Sequence, residues 1–196
     1  MLNIGIIVGS TRPGRKALAV AKWVHEIAQK RGGDRCELVD LLDYALPLLD
    51  EDVPAAVAEG KYAKPHTKAW SAKIAAFDAF VFVTPEYNHG TSAALKNALD
   101  FLYPEWNDKA AGFVSYGGAG GVRAVEQLRL SLAELQVATV RNQVVLSLRA
   151  DFERFETFTP GAHQGRAVNA MLDQLVAWGG ALKGMRGASG SSNPEK

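Results

Sequence analysis

The sequence predicts a doubly wound α/β fold, in which helices cover both faces of a five-stranded parallel sheet. Short runs that are apolar throughout, such as residues 3–8 and 79–84, are typical of strands buried on both faces. Segments of helical periodicity follow these runs in regular alternation, which is typical of βαβ units. No segment of about 20–50 residues repeats along the chain, so a solenoid is excluded.

The N-terminal part of the chain begins with the strand at residues 3–8. Apolar residues on one stripe predict a helix over residues 15–30, which a pair of glycines ends. A shorter strand is expected at residues 35–42. Prolines and a glycine interrupt residues 43–64, which are predicted to be a loop with a short helix around residues 55–59.

The alternation continues toward the C-terminus. Residues 184–196 are polar and rich in Gly and Ser, so we expect a flexible tail that plays no part in the fold. The fold is therefore predicted as one domain, residues 1–183. Its remaining helices are predicted at residues 66–77, 92–102, 122–135 and 164–183, its strands at 79–84, 110–115 and within 139–148, and a loop at 149–163.

Charge and composition exclude several classes of protein. The 196 residues include 22 Lys and Arg and 21 Asp and Glu, and the pI is near 7.9. Domains that bind nucleic acids are expected to have a pI above about 9. The single Cys36 excludes a disulfide framework and a Cys-rich zinc site, and the histidines lack metal-ligand spacing. No stretch approaches the ~18 apolar residues of a membrane span, and no basic region precedes the first apolar run. We expect a cytoplasmic protein with no metal and no membrane or nucleic-acid partner.

Three unusual loops each follow a predicted strand, at residues 9–15, 84–90 and 115–121. The carboxyl ends of parallel strands lie at one edge of a sheet, and doubly wound folds bind their ligands at that edge, where the strand order reverses. The three loops are therefore expected to form one site.

The first loop combines hydroxyls, glycines and two arginines at the start of a helix. A helix N-terminus attracts anions through its free N–H groups and its dipole, and arginine adds forked donors. The loop is not a P-loop (GxxxxGK[ST]), because Arg15 and Lys16 stand where that motif has Lys and Ser or Thr. It is not the dinucleotide motif GxGxxG either, because no glycine lies two residues after Gly9. It predicts a phosphate site, the alternative being a tight turn with solvated arginines. The candidate residues are Ser10, Thr11, Arg12 and Arg15.

The second loop places a ring and an amide at the same edge. Pro85 stops the strand, and a flat aromatic ligand can lie along exposed main-chain groups of Pro85, Glu86, Tyr87 and Asn88. The alternative is a capped turn in which Tyr87 packs on its neighbours. His89 has no visible carboxylate or nucleophile partner, so we interpret it as a polar surface residue rather than an acid or base.

The third loop has four glycines in five positions, residues 117–121. Its bare backbone lets a planar ligand approach the amides closely, the alternative being a flexible turn. Its candidate residues are Ser115, Tyr116, Gly117 and Gly118. No nucleophile motif occurs, so no catalytic side chain is predicted. A mononucleotide with a flat tricyclic ring fits all three loops, and flavin mononucleotide (FMN) is that ligand.

At these residues the sequence resembles the NAD(P)H-dependent FMN reductase family, a flavodoxin-like group that includes quinone, azo and chromate reductases. The resemblance covers residues 4–148, and its markers are GSTRPGR (9–15), PEYNHGTSAALKNALDF (85–101) and SYGGAGG (115–121). It implies a flavodoxin-like fold of three layers, αβα. It also implies that Ser10, Arg12 and the loop through Arg15 hold the FMN phosphate, that residues 85–88 lie along the isoalloxazine, and that residues 115–118 meet the ring edge.

One position departs from the family pattern. Many members carry Ser at the position of Arg15 and Asn at that of Ala17, both of which contact the phosphate. Here Arg15 either replaces the serine as a charge-assisted donor or points to solvent.

The resemblance implies hydride transfer from NADPH or NADH to FMN, then reduction of free flavin, a quinone or another small acceptor. The flavin supplies the chemistry, which agrees with the lack of a catalytic side chain. Two alternatives stay open: a flavodoxin-type carrier without NAD(P)H turnover, which the balanced charge disfavours, and a flavin-free interaction domain.

The resemblance also implies a homodimer or a dimer of dimers, with the helix after PEYN at the interface. That helix and its extension offer Leu95, Leu99, Phe101, Leu102, Tyr103 and Trp106.

Overall fold

A computed structural model of the chain describes residues 1–189. Its central sheet has five parallel strands in the order β2-β1-β3-β4-β5, which confirms the predicted doubly wound, flavodoxin-like fold. The order reverses between β1 and β3, so the loops after these two strands flank the switch point. The strands are β1 (Asn3–Val8), β2 (Arg35–Asp40), β3 (Ala79–Pro85), β4 (Lys109–Gly117) and β5 (Val137–Ser147).

Helices cover both faces of the sheet and form two apolar cores. Alternate strand residues face opposite cores because side chains repeat every second residue: Ile6 faces one core and Ile7 the other. One core lies under α1 (Ala17–Arg31) and α6 (Ala162–Ser189). The other core lies under α3 (Pro65–Ala75), α4 (Ala93–Asp100) and α5 (Val122–Glu134), and a 3₁₀ helix (Leu41–Tyr44) and α2 (Ala55–Ala58) precede these helices in the chain.

Three predictions near β2 and β5 are wrong. Strand β5 begins at Val137, two residues before the range predicted to contain it. The strand expected over residues 35–42 ends at Asp40, because the Asp40 side chain accepts the N–H of Leu42 at 3.1 Å and caps the 3₁₀ helix. The loop expected over residues 149–163 contains a hairpin of β6 (Phe152–Glu153) and β7 (Thr157–Phe158).

The last helix also differs from the prediction. It runs from Ala162 to Ser189, so the part of the predicted tail at residues 184–189 is helical. Its end is anchored to the sheet, because Lys183 and Arg186 form ion pairs with Asp78 at 2.8 and 2.9 Å. The rest of the predicted tail, residues 190–196, lies outside the described residues. No helix within the described part of the chain is long and apolar enough to cross a membrane.

The apolar cluster on and after α4 belongs to the core of the chain itself. Leu95, Leu99, Phe101, Leu102 and Trp106 are all buried. The Trp106 ring lies 4.9 Å from that of Phe80, centroid to centroid. Of the six side chains that the sequence offers for an interface, some of which must cover the sheet, these five are buried within the chain, and Tyr103 is half-buried.

Candidate functional site

The three loops meet at the carboxyl ends of β1, β3 and β4, as the sequence predicts. They line one cavity of about 90 Å³. The cavity is lined by Arg12, Gly14, Arg15 and Lys16 from the first loop, Pro85, Glu86 and Tyr87 from the second, Tyr116 and Gly117 from the third, and Leu148 after β5.

A larger concavity of about 730 Å³ lies at the opposite edge of the sheet and includes Asn3, Arg35 and Cys36. It is open and lies at the amino ends of the strands, where doubly wound folds do not bind their ligands. Burial raises the pKa of the half-buried Cys36 thiol, which disfavours the nucleophilic thiolate. The smaller cavity is therefore the candidate functional site.

A tight turn shapes the first loop and brings its two arginines together. The Arg15 N–H donates to the Arg12 carbonyl at 3.0 Å, and Gly14 has a φ of +70°. Pro13 precedes Gly14, and this order is typical of a type II turn, whose third residue needs positive φ. Ser10 is buried, and its hydroxyl accepts the N–H of Arg12 at 3.4 Å.

The N-terminus of α1 opens onto this loop without a side-chain cap. Lys16 stands at the cap position, makes no capping hydrogen bond, and no acidic residue occupies the first turn. The helix α4 differs, because its cap Ser92 accepts the N–H of Leu95 at 3.1 Å. The free N–H groups and the positive dipole end of α1 therefore suit an anion at the first loop.

Arg15 is held by a partner that the sequence analysis missed. Its guanidinium Nη2 forms an ion pair of 2.5 Å with Asp40, and the two side chains are only 13% and 15% exposed. Arg15 therefore does not point into solvent. Arg12 is exposed, and its guanidinium makes no hydrogen bond or ion pair with any described residue.

The second loop is a hairpin-like turn from Tyr87 to Gly90. These two residues exchange hydrogen bonds of 2.9 and 3.1 Å, and Asn88 and His89 between them have φ values of 48° and 74°. Positive φ at both central residues is typical of a type I′ turn. The Gln127 side chain braces the turn by donating to the His89 carbonyl at 2.9 Å. His89 is exposed, and its side chain forms no ion pair or hydrogen bond within residues 1–189.

The Glu86 carboxylate is committed to the N-terminus of α5. It forms an ion pair with the Arg123 guanidinium and accepts the Arg123 N–H at 3.2 Å. Burial alone raises the pKa of Glu86, but the hydrogen bonds from the side chain and backbone of Arg123 outweigh burial and lower it. The Glu86 main chain continues the ladder by donating to the Tyr116 carbonyl at 3.0 Å. The Glu86 carboxylate and N–H are thus both bonded within the protein, which leaves its carbonyl as the polar group that can meet a planar ligand.

The third loop exposes backbone at one glycine and packs tightly at the others. The Ser115 hydroxyl donates to the Gly120 carbonyl at 2.7 Å and closes the turn. A Cβ atom added to Gly121 would lie 2.8 Å from Ser115 Cβ, and one added to Gly117 would lie 3.2 Å from Glu86 Cβ. A Cβ added to Gly118 would meet nothing within 4 Å. The Gly118 backbone is therefore the open face of this loop.

Two buried donors without partners line the candidate cavity. Arg15 Nε and the Tyr116 hydroxyl have no hydrogen-bond partner within residues 1–189. Burial and the nearby Tyr87 raise the pKa of Tyr116. The Ala17 N–H at the start of α1 is close enough to lower this pKa slightly, but it does not reach hydrogen-bonding geometry. A buried donor that lacks a partner costs about 1–3 kcal/mol. An anionic ligand in this cavity relieves that cost, so the residues present fit a phosphate group.

Seven of the twelve predicted site residues line the cavity. The other five, Ser10, Thr11, Asn88, Ser115 and Gly118, lie in the same loops but not in its lining, and Thr11 lines a separate cavity beside α4.

The structure also adds two features. The sequence analysis missed Asp40 and the Tyr116 hydroxyl. Both lie at the carboxyl ends of parallel strands, the positions from which the three loops were identified. Asp40 lies at the carboxyl end of β2, but the predicted strand was two residues too long and placed Asp40 inside it. Tyr116 was assigned through its main chain, whereas its buried hydroxyl is the orphaned group.

Comparison with known proteins gives three consistent findings. The family model described as NADPH-dependent FMN reductase matches residues 2–151. The chain is 42% identical over 149 residues to an NAD(P)H-dependent FMN reductase of Schizosaccharomyces pombe, covering 76% of this chain and 74% of the relative. It is 34% identical over 134 residues to an NAD(P)H:quinone oxidoreductase of Solanum tuberosum, covering 66% of each chain.

The fold is also similar to a solved structure, that of FerB, a flavoenzyme NAD(P)H:(acceptor) oxidoreductase from Paracoccus denitrificans. The TM-score is 0.70 at 20% identity, with 92% of this chain and 98% of the other covered. At that identity the likeness shows the shared fold alone.

Proposed function

This chain belongs to the NADPH-dependent FMN reductase family, and on that premise we propose that the three-loop cavity binds FMN. The protein is an NAD(P)H-dependent oxidoreductase. Bound FMN supplies the hydride chemistry between NADPH or NADH and a small acceptor. The side chains and backbone of the three loops bind and orient the flavin.

The observation that carries the proposal is the anion character of the first loop. The cavity is lined by Lys16 at the uncapped N-terminus of α1 and by Arg15 and Tyr116, which carry the orphaned donors Nε and hydroxyl. Asp40 and Glu86 are each paired with an arginine, which leaves the positive charge of Arg12 unbalanced. We place the phosphate here, held by Ser10, Thr11, Arg12 and Arg15.

The isoalloxazine ring is placed along the second and third loops. The backbone of Pro85, Glu86, Tyr87 and Asn88 lies along it, and the open backbone at Gly118 meets its edge beside Ser115, Tyr116 and Gly117. The Ser115 hydroxyl already donates to Gly120, so we expect this residue to contribute through its main chain.

The electron acceptor is proposed to be free flavin, a quinone or another small oxidant. The relatives whose names carry FMN reductase and quinone oxidoreductase support this class of acceptor. The single domain and the cytoplasmic location remain predictions.

We further propose a homodimer, or a dimer of such dimers, that buries an apolar surface beside α4. Asn97 on α4 donates to the Pro47 carbonyl at 2.7 Å and accepts the Leu49 N–H at 3.0 Å, which holds this segment against the helix. Residues 42–57, which include this segment, expose several large aliphatic side chains, and exposed apolar patches mark protein–protein interfaces. These side chains are Leu42, Leu48, Leu49, Val53 and Val57, between 47% and 83% exposed.

Flavin binding and reduction test the function together. Fluorescence quenching should show FMN binding much more tightly than riboflavin, because only FMN fills the anion site. Anaerobic addition of NADPH should then bleach the flavin absorbance near ~450 nm, a property of the cofactor. Equal affinity for the two flavins contradicts the phosphate site, and a flavin that NADPH does not bleach indicates a carrier.

A further inference from the structure

Asp40 uses both carboxylate oxygens at the end of β2. One oxygen accepts the Arg15 guanidinium at 2.5 Å, and the other accepts the Leu42 N–H at 3.1 Å. Parallel pairing sets Asp40 opposite Val8, the last residue of β1. The carboxylate is therefore fixed at the strand end next to the loop that carries Arg15.

Arg15 is held at two points, and its buried Nε donor has no partner among residues 1–189. The type II turn holds its backbone through the hydrogen bond to Arg12, and Asp40 holds Nη2. The guanidinium is a rigid plane, so these two restraints also set the direction of Nε. That Nε is buried without a partner, on a side chain that lines the candidate cavity.

The pairing with Asp40 has two opposite effects on an anionic ligand. The negative charge of Asp40 by itself opposes a nearby phosphate. Holding Arg15 before the ligand arrives favours binding, because an arginine that is free must lose side-chain entropy when it binds. The largely buried ion pair with Asp40 already holds the arginine in place in the chain by itself, so we expect the second effect to dominate.

We propose that Asp40 is a positioning residue for the FMN phosphate, which holds Arg15 so that its Nε N–H donates to a phosphate oxygen. The inference rests on the proposed function, since it takes the phosphate to lie at the first loop. Arg15 and Asp40 then act as one neutral unit that presents a fixed N–H donor, while Arg12 supplies the charge.

Affinities for FMN and riboflavin, measured by fluorescence quenching, test this role in four variants. Asp40→Ala and Arg15→Ala should each weaken FMN about tenfold, the effect of one charge-assisted hydrogen bond, and leave riboflavin nearly unchanged. Asp40→Asn keeps one oxygen, which can accept from Arg15, but its amide NH2 cannot accept the Leu42 N–H. FMN affinity should therefore fall less than in Asp40→Ala. The Asp40→Ala/Arg15→Ala double variant should bind FMN about as well as Arg15→Ala alone, because the two residues act as one unit.

Asp173→Asn is the matched control, because Asp173 pairs with Arg31 at 2.5 Å near the other end of α1. It should leave both flavin affinities unchanged. Tighter FMN binding by both Asp40 variants overturns the proposal in favour of charge repulsion. Equal weakening of FMN and riboflavin by Asp40→Ala overturns it in favour of a purely structural role.

Two further comparisons keep the test decisive. If Asp40→Ala does not fold, Arg15→Ala carries the test, and FMN binding that it leaves unchanged overturns the inference. If Arg12→Ala also leaves FMN unchanged, the phosphate does not lie at the first loop and the proposed function itself fails. A selective FMN loss in Arg12→Ala without one in Arg15→Ala contradicts only the role of Asp40.

Discussion

Ser10 and Tyr87 share a hydrogen bond of 3.1 Å between their hydroxyl groups, which joins the loop after β1 to the loop after β3. The two residues are 77 positions apart in the chain. Ser10 is buried, and the turn that begins at Tyr87 is also braced by Gln127. This contact sets the distance between the proposed phosphate site and the proposed ring site.

Tyr87→Phe should lower the free energy of unfolding by about 1 kcal/mol, because it removes this hydrogen bond and leaves the buried Ser10 hydroxyl with fewer partners. For a chain of this size the thermal midpoint should fall by roughly 2–4 °C. Tyr103→Phe is the control, since the Tyr103 hydroxyl accepts only an exposed bond from Gln136 at 3.2 Å. Equal midpoints for the two variants contradict a stabilising role for the Ser10–Tyr87 contact.

Glu86→Gln should remove a pH-dependent part of the stability. Arg123 and the N-terminus of α5 lower the pKa of Glu86 in the folded state, below the 4.5 of an unperturbed Glu. The stabilisation is therefore complete above pH 4.5 and is lost as the pH falls through the lowered folded pKa. Urea unfolding of wild type and Glu86→Gln at pH 7, 4.5 and 3.5 measures the difference between their free energies of unfolding. This difference should shrink toward the lowest pH. A difference that is constant over this range contradicts the assignment.

Replacing Gly118 or Gly120 of the third loop by alanine should have different effects. The first change should weaken flavin binding, and the second should lower the thermal midpoint. Gly118→Ala should leave the thermal midpoint unchanged, because its Cβ meets nothing within 4 Å. It should weaken FMN and riboflavin equally, since the proposed contact is with the ring that both flavins share. Gly120→Ala should lower the midpoint, because Gly120 has a φ of +72° and its Cβ would lie 2.1 Å from Val145 Cγ1. A Gly118→Ala variant that binds both flavins normally removes the third loop from the ring site.

The turn of the β6–β7 hairpin should become more stable with residues suited to its backbone. The Glu156 N–H donates to the Glu153 carbonyl at 2.9 Å, and Arg154 and Phe155 between them have φ values of 50° and 60°. Type I′ turns favour Asn-Gly at these positions. Arg154→Asn/Phe155→Gly should therefore raise the free energy of unfolding by about 1 kcal/mol, as left-handed side chains are costly.

Urea unfolding at neutral pH measures the change. Phe155 is 56% exposed, so little apolar burial is lost with its ring. The single Arg154→Asn variant should give a smaller gain, because the Phe155 backbone keeps its positive φ. A double variant less stable than wild type shows that the two side chains stabilise the hairpin instead.

The sequence by itself determined the alternation of strands and helices and the position of the three loops. These features are local, because an apolar run predicts a buried strand and Gly or Pro ends it. The bounds of β1 were accurate because Gly9 follows Val8 directly. The end of β4 was not accurate, because this strand continues to Gly117, two residues past its predicted end. The hairpin after β5 was missed because its turn carries Arg154 and Phe155 in place of Asn-Gly.

Only the tertiary structure decided which side chains are committed and which are free. Arg15 and Asp40 lie 25 positions apart and meet because β1 and β2 pair in one register, which no local pattern specifies. The same applies to Glu86, whose carboxylate binds Arg123, a residue 37 positions away. A sequence shows which charges are present, but the partner of each charge depends on how distant strands and helices pack.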